Sequence, residues 1–329
     1  MSLSASASVF KCIRWTRFRL VIQAVDPIVL RGFIGPTLRG LLGEALHDSA
    51  GRDSEARPPG QASLFRTLFE GVGHGENPSR RPPPYLLHPP GRSGLRLGPG
   101  DMFDYELTLV GDAARHAPTL FRQLYTFGLN GGVGRHRARF LLKEVWAGAP
   151  GGEVLIFGGM GGLLVEHFRP EWSWNGEQFV ERALQEHPPD IRAITLELVT
   201  PLDLRAKGKP VSDLTFSHIF RSVLRSLASY ARSHGDGKLP IDFQAWKAQA
   251  RSVAKTADRT RVQRVVHYSR RQFDRDGTPR RIGVTSRVGT LTFEGELSPF
   301  LPFLALATRF HVGKGRTMGF GVPMIQVRS

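Results

Sequence analysis

The 329-residue sequence predicts an α+β chain of two ferredoxin-like (RRM-like, βαββαβ) domains in tandem, each an antiparallel sheet with two helices on one face. Three observations predict it. The same ordered series of elements occurs twice, each series holds a glycine-rich loop that leads into its last strand, and His187-Pro188-Pro189 interrupts the chain between them. The expected domains are therefore residues 1–188 and 189–329.

The first series opens with residues Thr16 to Ala24, which alternate as a half-buried strand. Gly35 to Ser49 follow as a helix, with Leu38, Leu41, Leu42, Ala45 and Leu46 as its apolar stripe. Pro78 to Gly100 are rich in Pro, Gly and Arg and predict an ordered insertion lying over the surface. Phe103 to Gly111 form a strand ended by glycine, a helix runs to Phe127, the loop Gly128 to Gly134 carries four glycines, and a strand reaches Val145. A hairpin is expected over Val154 to Glu166. The second series repeats the order: a strand over Ile191 to Val199, a helix over Asp213 to Arg232, a strand over Arg287 to Gly295, and a helix to Phe310. The loop His311 to Gly321 and a strand over Val322 to Val327 close the chain. A chance likeness of two glycine loops would not extend to the whole ordered series.

Charge narrows the partner. Lys plus Arg exceed Asp plus Glu by 45 − 29 = +16, and the sequence pI is about 10.9. Such an excess suits the neutralisation of phosphates, which releases condensed counterions. With 40% apolar residues the chain can bury a core, so it is not a disordered basic tail. The single cysteine, Cys12, excludes an internal disulfide and any cysteine-based zinc cluster, and a reducing cytoplasm is the expected compartment. No apolar run approaches membrane-spanning length, and Met1 to Ser8 lack the apolar stretch of a signal peptide.

The basic residues are concentrated. Nine arginines fall between Arg259 and Arg287, Arg264, Arg270 and Arg271 among them, around a turn at Asp274 to Gly277. Alternation on both sides predicts a basic hairpin, Val262 to Gln272 with Arg280 to Val284, able to enter a groove or clamp a stem. On the helix from Asp213, Arg221 and Arg225 lie outside the apolar stripe. The loop near the C-terminus places Gly313, Gly315, Gly319 and Gly321 within nine positions, with Lys314 and Arg316 between them. Glycine permits the positive φ angles that turn several N–H groups toward one anion, so this loop is the expected phosphate cradle.

Those residues carry a resemblance. Thr37-Leu-Arg-Gly40, Leu64 to Glu70, the loop Gly128 to Gly134, Thr200 to Leu204, and His311-Val-Gly-Lys-Gly315 through Gly319-Phe-Gly321 resemble, in order, the CRISPR-associated precursor-RNA processing endoribonucleases of the RAMP superfamily. The resemblance implies binding of CRISPR repeat RNA and a metal-independent cut, with no cofactor. In such enzymes the 2′-hydroxyl attacks the adjacent phosphorus, leaving a 2′,3′-cyclic phosphate and a 5′-hydroxyl. Subunits of a CRISPR effector complex are the further partners it implies. A non-catalytic RAMP subunit that holds the repeat-derived handle is the alternative.

The implied reaction needs a base, an acid and cations. Histidine suits both proton transfers, and Lys or Arg supplies the charge. His47 is the first candidate, because it falls about 180° from the stripe centre of its helix. The family commonly has its catalytic histidine some three residues earlier, where this chain has Glu44. His311 and Lys314 of the terminal loop are the next candidates. His267-Tyr268 on the arginine hairpin offers a base-stacking or proton-donating pair. Arg39, the four loop glycines and Arg316 are expected to bind RNA with Arg221, Arg225 and the hairpin arginines.

Overall fold

The computed structural model describes residues 7–52, 64–70, 81–91, 93–158, 162–163, 167–273 and 277–328. Its first module runs β1 (Arg14–Ala24), α1 (Gly35–Arg52), β2 (Tyr85–His88), β3 (Met102–Val110), α2 (Ala117–Asn130) and β4 (Phe140–Ala149). The strands lie in the antiparallel order β2-β3-β1-β4, the ferredoxin-like arrangement. The sheet continues past β4 into β5 (Gly152–Gly158) and β6 (Gly162–Leu163), so the hairpin expected near residue 154 extends this sheet. A short strand β7 (Trp174–Asn175) pairs with the start of β1, and α3 (Gly176–Gln185) follows.

The second module repeats the plan. It comprises β8 (Ala193–Leu202), α4 (Phe216–His234), a short α5 (Phe243–Gln249), β9 (Ala254–Phe273), β10 (Pro279–Glu294), α6 (Leu301–Phe310) and β11 (Pro323–Arg328), with strand order β9-β10-β8-β11. Helix α4 starts at Phe216, three residues later than its apolar pattern suggests, because Thr215 caps it. The Thr215 hydroxyl accepts from the His218 N–H, and the His218 side chain reaches back to the Thr215 backbone.

One expectation is corrected. The segment Pro78 to Gly100 is not a pure insertion: it contains β2, an edge strand of the first sheet. Prolines flank β2 on both sides, and an edge strand tolerates them because one row of its backbone groups needs no partner. The expected arginine hairpin is present, as part of the second sheet. Strands β9 and β10 are two continuous sheet strands that overrun the rest of their sheet, with Arg264 opposite Thr285 and His267 opposite Ile282.

Alternation places the cores. Along β1, Phe18, Leu20 and Ile22 are buried beneath the helices while Arg17 and Arg19 face the other way. Each such buried side chain is worth about 1.5–3 kcal/mol. The second core centres on aromatic contacts of α4 with α6 and the turn before it, such as Phe220 with Phe300 at 4.8 Å and with Phe303 at 5.2 Å. Phe10, Trp15 and Val180 join this second core although they precede residue 189. The halves are thereby packed into each other across the proline boundary. Among the described residues no helix is long and apolar enough to cross a membrane.

Candidate active site and nucleic-acid interface

Three elements far apart in sequence, with Phe65, Phe69, Phe127 and Arg137 beside them, line one cleft of about 720 Å³. Helix α1 gives it Arg39 and His47, strand β9 gives His267 and Tyr268, and the C-terminal loop gives Thr317 and Met318. The helix is suited to this by its period. Pro36, Gly40, Gly43 and His47 share one face, opposite the buried Leu38, Leu41 and Ala45. Gly40, where a Cβ would meet nothing within 4 Å, leaves that face bare in front of His47, while Gly43 lets the Phe69 ring approach, 3.2 Å from where its Cβ would stand.

Close packing fixes the three walls. A Cβ on Gly35 would lie 1.9 Å from the Met318 carbonyl oxygen, so only glycine lets the first turn of α1 rest on the C-terminal loop. Phe33 meets Phe320 edge to face at 5.0 Å. Val265, Val284 and Phe320 form a small buried cluster, with Phe33, Ile282 and Met318 packed against it. This cluster seats the overrunning strands on both modules and brings His267 to the cleft.

Aromatic rings and ions set the local environment. His47 is exposed and meets Phe65 edge to face at 5.6 Å. Phe65 stacks on Phe69 at 5.2 Å, and the Arg39 guanidinium lies 5.2 Å over the Phe69 ring. Arg39 is therefore half-buried and oriented, not a freely solvated charge. Glu44, one turn before His47 on α1, forms a 2.7 Å ion pair with Arg137. His267 is half-buried; desolvation, with a smaller effect from the Arg39 charge, holds its pKa below the usual histidine value. Beneath the cleft, burial pushes the Tyr85 phenol up to about 12, so it remains protonated. The cleft thus offers a neutral imidazole, a second accessible imidazole, an oriented guanidinium and an exposed tyrosine, which suits proton transfer at a phosphodiester.

Other candidates lie elsewhere. His311 is fully buried and ends α6 at φ 57°. Its Nε2 lies 3.2 Å from Nδ1 and 3.1 Å from Nε2 of His88, across the junction of the modules. Burial, reinforced by the charges of Arg316 and Arg309, lowers its pKa to about 3. His311, expected as a catalytic group, is instead buried away from the cleft, with a pKa held far below neutrality. That burial predicts an acid sensitivity. The unfolded chain binds this proton below about pH 6.5, and the native state does so only near 3. Stability is therefore complete above that range and falls as pH drops through it. Thermal melts from pH 7 to pH 4 should show this, with a shallower decline in His311→Gln; equal slopes would remove the histidine as the cause.

The terminal loop, expected as a phosphate cradle, turns several of its N–H groups inward. The N–H groups of Gly313, Lys314, Gly319, Phe320 and Gly321 donate to Ser222 Oγ and to the carbonyls of Asp203, Arg316, Gly315 and Pro201. They are spent inside the protein. The glycines serve close approach: a Cβ would lie 2.4 Å from the Asp203 oxygen at Gly313, 2.9 Å from the Phe320 ring at Gly315, and 2.2 Å from Pro89 at Gly319. Arg316 is half-buried, hydrogen-bonded to Ser226 Oγ and 5.3 Å over the Tyr230 ring, so it faces α4 rather than a ligand. Lys314 is exposed beside Asp203 and does not line the cleft.

Arg221 and Arg225 are exposed on α4, away from the cleft. Arg264 is exposed on the open face of β9, where Val262, Val266 and Tyr268 are also accessible. The side chains of Arg270 and Arg271, and the turn at 274–276, lie outside the described residues. The sequence reading missed Phe65, Phe69 and the Glu44–Arg137 pair as cleft components. It missed His88 too, since a partner 223 residues away from His311 leaves no mark in spacing.

Comparison with known proteins follows the same outline. Residues 196–322 match the family profile described as CRISPR-associated endoribonuclease Cas6. Residues 13–167 match the profile AF_1859_N, described as an N-terminal domain. No curated protein matches the chain. Among solved structures, Thermus thermophilus Cas6 is 15% identical with a TM-score of 0.55, the match covering 95% of this chain and 99% of that one. A Cas6 product complex is 16% identical with a TM-score of 0.52, covering 95% and 100%. A partial Cas6-RT-Cas1–Cas2 complex is 13% identical with a TM-score of 0.59; the match covers 97% of this chain, which spans only 47% of that polypeptide. At these identities the likeness is one of fold.

Proposed function

We propose that this chain, a CRISPR-associated protein of the Cas6 type, is an endoribonuclease that binds CRISPR repeat RNA and cuts the precursor transcript into guide RNA. The observation that carries the reading is the single cleft uniting His47 and Arg39 with His267, Tyr268 and the C-terminal loop. In the proposed reaction the 2′-hydroxyl attacks the adjacent phosphorus, giving a 2′,3′-cyclic phosphate and a 5′-hydroxyl without a metal. Arg39, held by Phe69 at the cleft wall, balances the charge of the phosphorane. His47, reachable on the bare face of α1, moves a proton at the scissile phosphate.

RNA approaches across the open face of β9, where Arg264 supplies charge and Tyr268, 67% exposed, supplies a ring for a base. Arg221, Arg225 and Lys314 add to the surrounding positive field rather than to the reacting centre. Subunits of a CRISPR effector complex are the proposed receivers of the product.

The test is direct. Purified protein incubated with repeat RNA in EDTA should give a shorter product ending in a 2′,3′-cyclic phosphate. A single 2′-deoxy substitution 5′ to the scissile phosphate should abolish cleavage and leave binding intact. Binding without a product in either RNA would identify the chain as a handle-holding subunit.

A further inference from the structure

The proposed reaction involves two proton transfers, and the cleft contains a second histidine from the opposite module. Resting on the nuclease reading above, we infer that His267 is the general base, that His47 is the general acid, and that the active site is assembled from both modules.

Geometry leads to this pairing. His47 stands on α1 of the first module and His267 on β9 of the second, and both line the same 720 Å³ cleft. The scissile phosphate can lie between two walls that no single module supplies. His267 is the deeper of the two: it shares a face of β9 with Val265, which is buried against Val284 and Phe320. That anchoring holds the ring in place, as in-line attack requires. His47 is on the rim, where a leaving 5′ oxygen departs toward solvent. The titratable and charged groups that share the cleft with His267 are Arg39, Glu44 and His47 from α1, Arg137 from the segment after α2, and Tyr268. Glu44 is neutralised by Arg137, so it does not compete for the role of base. Burial and Arg39 keep the His267 ring unprotonated near neutrality, the form a base needs.

The step balances. A nitrogen lone pair of His267 takes the 2′-hydroxyl proton as O2′ bonds to phosphorus. The P–O5′ bond breaks, and O5′ takes a proton from the His47 imidazolium. The products are the cyclic phosphate and the 5′-hydroxyl. His267 is left protonated and His47 neutral, and exchange with solvent restores both.

A substrate with sulfur in place of the scissile O5′ separates the roles, because a thiolate leaves without a proton. Single-turnover rates would be measured for wild type, His47→Ala, His267→Gln and His267→Asn, on oxygen and sulfur substrates, with melting temperature and RNA affinity as controls. With oxygen, each variant should be at least about 10²-fold slower than wild type. With sulfur, His47→Ala should recover toward wild type while both His267 variants stay slow. The wild-type rate should fall at acid pH as His267 protonates, and the His267 variants should lose that limb. Wild-type rates in folded His267→Gln or His267→Asn, or their recovery on sulfur, would overturn the assignment alone. A wild type that cuts neither substrate would overturn the nuclease reading as well.

Discussion

His47→Ala is expected to cut repeat RNA between about 10² and 10⁴ times more slowly than wild type, with RNA affinity little changed. The two halves of this expectation have separate causes. The imidazole is exposed on the bare face of α1 and touches the protein through an edge contact to Phe65. Removing it leaves Leu38, Leu41, Leu42, Ala45 and Leu46 in the core, so the helix remains docked. It also leaves Arg39 over Phe69 and the open face of β9, which provide the proposed phosphate and base contacts. In the proposed mechanism what disappears is a proton at the scissile phosphate, which would affect the transition state alone. Equal single-turnover rates would remove His47 from the mechanism. A parallel loss of affinity would show that the ring contributes to ground-state binding.

The fold was legible because its information is local and repeated. Alternation along Thr16 to Ala24 and the helical stripe from Leu38 to Leu46 each state which face is buried, and burial follows that statement. Strand β2 was hidden because Tyr85 to His88 are four residues between prolines, too short for a period to show. The site was legible only in part. The position of His47 follows from helical geometry, so its exposure could be read in advance. The burial of His311 depends on His88, brought to it by tertiary packing from another strand. Glycine was the least decisive signal. A nest that binds an anion and a turn that packs against its own protein need the same positive φ, and they differ in what the N–H groups face.

That difference makes Gly321→Val the most destabilising change expected in the loop. Gly321 has φ 71°, where a β-branched residue is strained by about 1–3 kcal/mol. The added Cβ would lie 1.8 Å from the Val312 carbonyl oxygen, far inside contact distance, so backbone must move. Two hydrogen bonds close the loop here, Val312 N–H to the Gly321 carbonyl at 2.8 Å and Gly321 N–H to the Pro201 carbonyl at 2.9 Å. Displacing either adds about 1 kcal/mol. A loss of about 3 kcal/mol or more follows, roughly 4 °C or more in melting temperature for a protein of this size. The RNA-binding outcome separates the two roles of the loop. If the glycines serve packing, molecules of the variant that remain folded at low temperature bind RNA with wild-type affinity. A variant of unchanged stability that no longer binds RNA would restore the loop as the phosphate cradle and require its N–H groups to leave their present partners.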